Sequence, residues 1–169
     1  MSATASTRSV DDVRVEEALP ELVLPLTRTL IVATAVASRD YQDVHHDPGL
    51  AQERGSDDIF MNILTTNGLV GRYVTDWAGP GAVVEQVSIR LGAPNYPGDT
   101  MTMTGTVTAV DPEPPAPGAP GDGSPSVRGD GRGTVTISVR GANSRGDHVT
   151  GTVRVALPRR GVTPAVLPA

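Results

Sequence analysis

One helix-period stripe followed by four strand-period segments confines this chain to a narrow set of folds. Between Ile59 and Ala78, the residues Ile59, Ile63, Thr66, Val70, Tyr73 and Trp77 recur at spacings of three and four. That spacing places them on one face of a helix. Asp57 and Asp58 stand just before it, where a cap and a negative charge are both favourable. Gly79-Pro80-Gly81 stops it. Gly68 and Gly71 lie inside it, each costing about 1 kcal/mol against alanine, which predicts close packing against a neighbouring backbone. Val83–Leu91, Thr100–Val110, Gly133–Arg140 and His148–Leu157 then alternate apolar with polar residues, as half-buried strands do. Asn143-Ser144-Arg145-Gly146-Asp147 supplies hairpin chemistry between the last two. Upstream, Thr29–Ala37 (TLIVATAVA) reads as a buried strand from its branched apolar content. Leu19–Leu26 reads as a short edge strand limited by Pro20 and Pro25, and Pro48–Arg54 as one helical turn ended by Gly55. The class is α+β: one long helix and an antiparallel sheet around it.

At 169 residues the chain is long enough for one domain with its own core. Residues 1–18 are small and charged and are expected to be a disordered segment. Residues 19–158 form the domain, interrupted at 111–131 by a Pro/Gly-rich stretch expected to be a disordered hairpin loop. Residues 159–169 are expected to be a loose tail.

Composition removes several chemistries. There is no cysteine, which excludes thiol nucleophiles, disulfides and thiolate metal sites. There is no lysine, which excludes Schiff-base catalysis and a Walker-type phosphate site. The net charge of −5 and an aromatic content of 3% argue against a nucleic-acid partner. No apolar run is long enough to span a bilayer. The polar start is not a signal peptide, so a cytoplasmic protein is expected.

The stretch with chemical content is Ser38-Arg39-Asp40-Tyr41-Gln42-Asp43-Val44-His45-His46-Asp47-Pro48. It puts a carboxylate and an imidazole five residues apart and holds two of the three histidines. An Asp and a His converging on one water can add that water to a polarised double bond. Read singly, each residue has a plainer role. Asp40 could cap the helical turn near Pro48, Asp43 and Asp47 are loop and capping groups, and His46 is exposed. His148, beside a hairpin turn, is expected to be exposed too. Arg72 and Arg90 read as solvated or salt-bridged. Adjacent side chains such as His45, His46 and Asp47 rarely converge on one ion, and no distant ligand accompanies them, so no metal site is expected.

Strand, Asp-four-residues-His motif, long helix and antiparallel sheet together resemble the hotdog fold of the MaoC-like, R-specific enoyl-CoA hydratases. The family pattern is roughly S-G-D-x-N-P-I-H-x-D-x-x-x-A, and Ser38, Asp40, His45, Asp47 and Ala51 fall in register with it. Arg90-Leu91-Gly92-Ala93-Pro94 followed by Tyr96-Pro97-Gly98-Asp99-Thr100 resembles the family's later strand pair and its Pro-Gly-Asp turn. The run Arg39–Pro80 is similar, more closely, to the small MaoC-like subunit of actinobacterial steroid side-chain hydratases, which act in cholesterol degradation. The resemblance covers about residues 19–157, apart from the Pro/Gly insert. Three departures stand out: Arg39 in place of Gly, Gln42-Asp43 in place of Asn-Pro, and Met61-Asn62 in place of His-Gly. They match the steroid-type subunit and make details of short-chain hydratases a poor guide.

The resemblance implies hydration of an α,β-unsaturated acyl-CoA carrying a bulky, steroidal acyl group. It implies His45 as the base on water, Asp40 as the group that orients that water and shares in proton delivery to Cα, and the backbone N–H of Asn62 as an oxyanion donor. The sequence leaves open which of Asp40 and His45 carries which proton. CoA enters as part of the substrate, and no separate cofactor is implied. A larger MaoC/DUF35-type subunit is implied as partner, giving a heterotetramer. Two other readings remain. One is a hotdog thioesterase, although the long helix carries no internal acid before Asp76 and that reading leaves Asp40-His45 without a purpose. The other is a non-catalytic assembly subunit, although the motif is intact here.

Overall fold

A computed structural model describes residues 6–112 and 131–161. In chain order the elements are β1 (Leu22–Pro25), α1 (Arg28–Ala37), α2 (Pro48–Glu53), α3 (Ile63–Ala78), β2 (Val83–Leu91), β3 (Thr100–Asp111), β4 (Arg132–Asn143) and β5 (Gly146–Pro158). Single 3₁₀ turns lie at Val10–Asp12 and Asp43–His45. All strands pair antiparallel in one sheet of order β1-β3-β4-β5-β2. β3, β4 and β5 form a meander, and β2 crosses over to pair with the far side of β5.

The long helix lies against this sheet, as the sequence predicts, but starts later than its stripe suggests. Asn62 is its N-cap, accepting from the Thr65 N–H at 2.9 Å. Ile59 instead belongs to the preceding loop, fully buried, and Ile63 is exposed. Asp57 and Asp58 therefore sit ahead of the cap, where they pair with Arg145 and Arg28. Thr66, Val70, Tyr73, Val74 and Ala78 form the buried face. Gly79 ends the helix at φ 93°, and a Cβ there would meet the Ser6 carbonyl oxygen at 2.6 Å. The close packing expected at Gly68 and Gly71 is not found: both positions look into open space.

Thr29–Ala37, expected as a strand, lies within helix α1. The Thr27 hydroxyl caps it by accepting from the Leu30 N–H at 3.0 Å, a contact of a kind that contributes about 1 kcal/mol. Ile31 and Ala35, four residues apart, form its buried edge. Branched residues lower helix propensity only slightly, and packing of one stripe outweighs that.

The N-terminal segment expected to be disordered is, from Ser6 on, held in place. Val10 and Val13 are in the core, the Arg8 N–H donates to Ala78 O, and the Leu19 N–H donates to Gly105 O. The start of the tail is pinned to the same segment, Arg160 pairing with Asp12 and its N–H donating to Asp11. The insert expected at 111–131 falls mainly on residues 113–130, outside the described residues, as do residues 1–5 and 162–169. None of the helices in the described residues is long and apolar enough to cross a membrane.

Candidate functional site

Asp40 is placed by the way α1 ends. Ser38 is the C-cap, Arg39 follows at φ 58°, and the Arg39 and Asp40 N–H groups donate back to Val36 O and Ala35 O. That is a Schellman closure with a left-handed residue at the position glycine prefers. It turns the chain sharply and aims Asp40 back over the start of α3. Glycine would adopt this conformation freely, whereas Arg39 does so at a steric cost. Arg39→Gly is expected to raise stability by about 1 kcal/mol, or about 2–4 °C in Tm for a chain of this size. Thermal unfolding of the two forms checks it.

His45 closes the 3₁₀ turn that follows. Its Nδ1 lies 2.7 Å from Phe60 O, and its ring meets the Phe60 ring edge-on at 5.0 Å between centroids. A carbonyl only accepts, so the proton of the neutral ring sits on Nδ1. The Nε2 lone pair is left facing Asp40 Oδ2 at 3.4 Å. Both side chains are largely buried, at 7% and 18% exposure. Asp40 Oδ2 also accepts from the Asn62 side-chain amide at 2.9 Å, and that amide donates to Ser38 Oγ as well. The Asn62 hydrogen bond, aided by the Gln42 N–H and His45, holds the Asp40 carboxyl below its usual range against the opposing effect of burial. Asp40 is therefore ionised at neutral pH.

Asn62 thus does more than the sequence suggests. Its side chain caps α3 and steadies Asp40, while its backbone N–H donates no hydrogen bond within the described residues. Asp40, His45 and Asn62 line one cleft of about 350 Å³, together with Ile63, Leu91 and His148. The remaining motif residues take the plain roles expected. Asp47 caps α2, Asp43 pairs with Arg54, His46 is exposed and Arg72 pairs with Asp76.

His148, expected to be exposed, is 2% exposed and inside the cleft. Gly141 pairs with Val149 while the next residue, Ala142, pairs with Asp147, so His148 is the extra residue of a β-bulge. The bulge breaks the alternation and turns His148 inward beside Val149. Its Nδ1 lies 2.7 Å from Ala93 O, and its Nε2 lies 2.8 Å from Thr66 Oγ1. Burial pushes its pKa down, only partly offset by the Ala93 carbonyl, so the ring is neutral. Unfolding frees it to bind a proton more readily, so stability falls as pH drops below its ordinary 6.5 toward the folded value. A flatter stability profile in that window is expected for His148→Gln, read by denaturant titration at several pH values. Asn95, next to the cleft-lining Pro94, is a further fully buried polar residue. Its carbonyl accepts from the Met61 N–H, and its amide oxygen accepts from Asn143, bracing the loop beneath the cleft.

Comparison with known proteins places this geometry in context. A sequence model described as MaoC like domain matches residues 14–113. The 3-oxo-4,17-pregnadiene-20-carboxyl-CoA hydratase beta subunit of Mycobacterium tuberculosis is 48% identical over 139 residues, covering 82% of this chain and 92% of that protein. A chain in the crystal structure of the ChsH1-ChsH2 complex from the same organism aligns with TM-score 0.71 and 47% identity, over 85% of this chain and 98% of that one. The R-hydratase PhaJ1 from Pseudomonas aeruginosa aligns with TM-score 0.71 over 95% of this chain and 94% of that one, at 18% identity, a likeness of fold: the hotdog arrangement.

Proposed function

As the chain belongs to the MaoC-like family, we propose that it is the catalytic MaoC-like subunit of an enoyl-CoA hydratase acting on a steroid side-chain enoyl-CoA. The observation that carries the reading is the Asp40 carboxylate 3.4 Å from Nε2 of His45, both facing one cleft. The likeness to the mycobacterial hydratase beta subunit supplies the substrate class. The likeness to the ChsH1-ChsH2 complex supports a heteromer; the larger MaoC/DUF35-type partner and the heterotetramer are what the sequence resemblance implies. A short-chain hydratase closes its acyl pocket, whereas a ring system needs an open one, which a partner can provide by leaving its side of the interface unfilled.

In this reading a water bridges Asp40 and His45. His45 Nε2 takes one of its protons while the oxygen bonds to Cβ, and the Cα=Cβ electrons move onto the thioester oxygen. The Asn62 N–H at the start of α3 donates to that developing enolate, where a fixed donor contributes about 3 kcal/mol and the helix dipole adds to it. The imidazolium, held by the Asp40 charge, then returns its proton to Cα. The product is a 3-hydroxyacyl-CoA, and His45 is neutral again. CoA is carried as part of the substrate, no other cofactor takes part, and the site of action is the cytoplasm.

The test is turnover of a steroid side-chain enoyl-CoA by the chain co-expressed with its larger subunit, followed as loss of enoyl-thioester absorbance. Hydration that needs the partner is expected. Release of free thiol without loss of the double bond would establish a thioesterase instead. A well-folded complex that does neither would remove the steroid assignment.

A further inference from the structure

The buried imidazole of His148 is not used by the proposed chemistry. Yet the strand carries a bulge that turns this one polar ring inward. Bulges commonly re-aim a side chain beside a working site. The two ring nitrogens bond to different elements, the loop after β2 and helix α3. Nδ1 donates to Ala93 O, on the loop after β2 whose Gly92 and Ala93 N–H groups donate to His148 O and Asp147 O. That fixes the tautomer, because the carbonyl can only accept. Nε2 then accepts the hydroxyl proton of Thr66 at 2.8 Å, on the first turn of α3. The Thr66 N–H in turn donates to Asn62 O, and Asn62 holds Asp40 through its amide.

We propose that His148, acting through Thr66, is a positioning residue for hydration: it ties the Ala93 wall to the first turn of α3 and so sets where Asn62 and Asp40 stand. It touches no reacting atom. The inference rests on the hydratase reading only in naming the reaction; the linkage from His148 to Asp40 is a property of the fold.

Two variants of the full-length chain in its heteromeric complex test it. Thr66→Val removes the hydroxyl and keeps the shape; Thr66→Ser keeps the hydroxyl. Thr66→Val is expected to lose about tenfold or more in kcat, the scale on which small misplacements act, with KM little changed. Thr66→Ser is expected to recover most of the loss. Full kcat in Thr66→Val, or equal losses in both variants, would overturn the proposal. A second measurement needs no substrate. Nitrogen-15 spectra of the histidine-labelled chain should show His148 protonated on Nδ1 and bare on Nε2, and the Asp40 carboxyl should titrate higher in Thr66→Val than in wild type. An Nε2-protonated ring or an unmoved Asp40 would sink the idea. If both signatures are seen, the Asp40 shift in Thr66→Val included, and the wild-type complex hydrates nothing, the hydratase reading is refuted and the positioning role stands.

Discussion

Asp40→Asn is expected to lower kcat for hydration by about 10³-fold, within the range for a lost acid–base group, and to leave heteromer assembly intact. Asparagine matches aspartate in size and can still accept one bond from the Asn62 amide, so the local structure persists. What goes is the charge. His45 must become an imidazolium when it takes the water proton, and Asp40 is the anion 3.4 Å from the nitrogen that would carry it. With a neutral amide there, the cation forms without its partner and the water loses an acceptor. The pH behaviour follows from the same contact. The Asn62 hydrogen bond holds the Asp40 carboxyl below its ordinary range, so the carboxylate survives into mild acid and is lost only when pH falls through that depressed value. A loss of rate in mild acid, above that depressed value, is therefore expected to come from another group. Initial rates across pH, with size-exclusion chromatography of the complex, check both statements. An intact Asp40→Asn complex with near-wild-type kcat would favour the assembly-subunit reading.

The motif was legible because its geometry is local. His45 lies five positions after Asp40, and a helix end plus one 3₁₀ turn suffice to bring them together. Asn62 was reachable by register with the family pattern. The supporting groups were not, because they act through backbone carbonyls that any residue possesses: Phe60 O fixes the His45 tautomer and Ala93 O that of His148. His148 was misplaced for a definite reason. Strand alternation puts it in phase with Thr150 and Thr152, which are exposed, and the bulge that reverses it depends on pairing with Ala142 and Gly141 rather than on its own sequence.

The fold shows the same division. α3 and the four later strands carry strong periodicity and were read with errors at their ends; β2 spans the expected Val83–Leu91, whereas β4 and β5 run longer than expected. α1 was misread because a short run of valine, isoleucine, threonine and alanine suits either a buried strand or a helix with one buried edge. The deciding facts are the Thr27 cap and the Ile31–Ala35 contact with the core. Composition is also a poor guide to the N-terminal segment, which is held in place from Ser6 on. Residues from Ser6 are polar, yet Val10 and Val13 are enough to seat the segment against β4 and β5, near Gly133.

His45→Asn is expected to cost about as much as Asp40→Asn, roughly 10³ in kcat, and the double variant is expected to be scarcely worse than either. Asparagine places an N–H close to where Nδ1 stands, so the bond to Phe60 O can survive while the Nε2 lone pair is lost. If Asp40 and His45 act on one water, removing either leaves that water without its proton acceptor or without the charge that makes the acceptor effective. Groups that work as a unit show such strong non-additivity. Were they instead serving separate steps, the losses would multiply, to about 10⁶ in the double variant. Measuring the three variants in the same complex separates the cases. A double variant near 10³ fits a shared water. A loss near the product would assign the two residues to separate steps, one activating water and the other protonating Cα, and would break the mechanism in which His45 does both with Asp40 as its counter-charge.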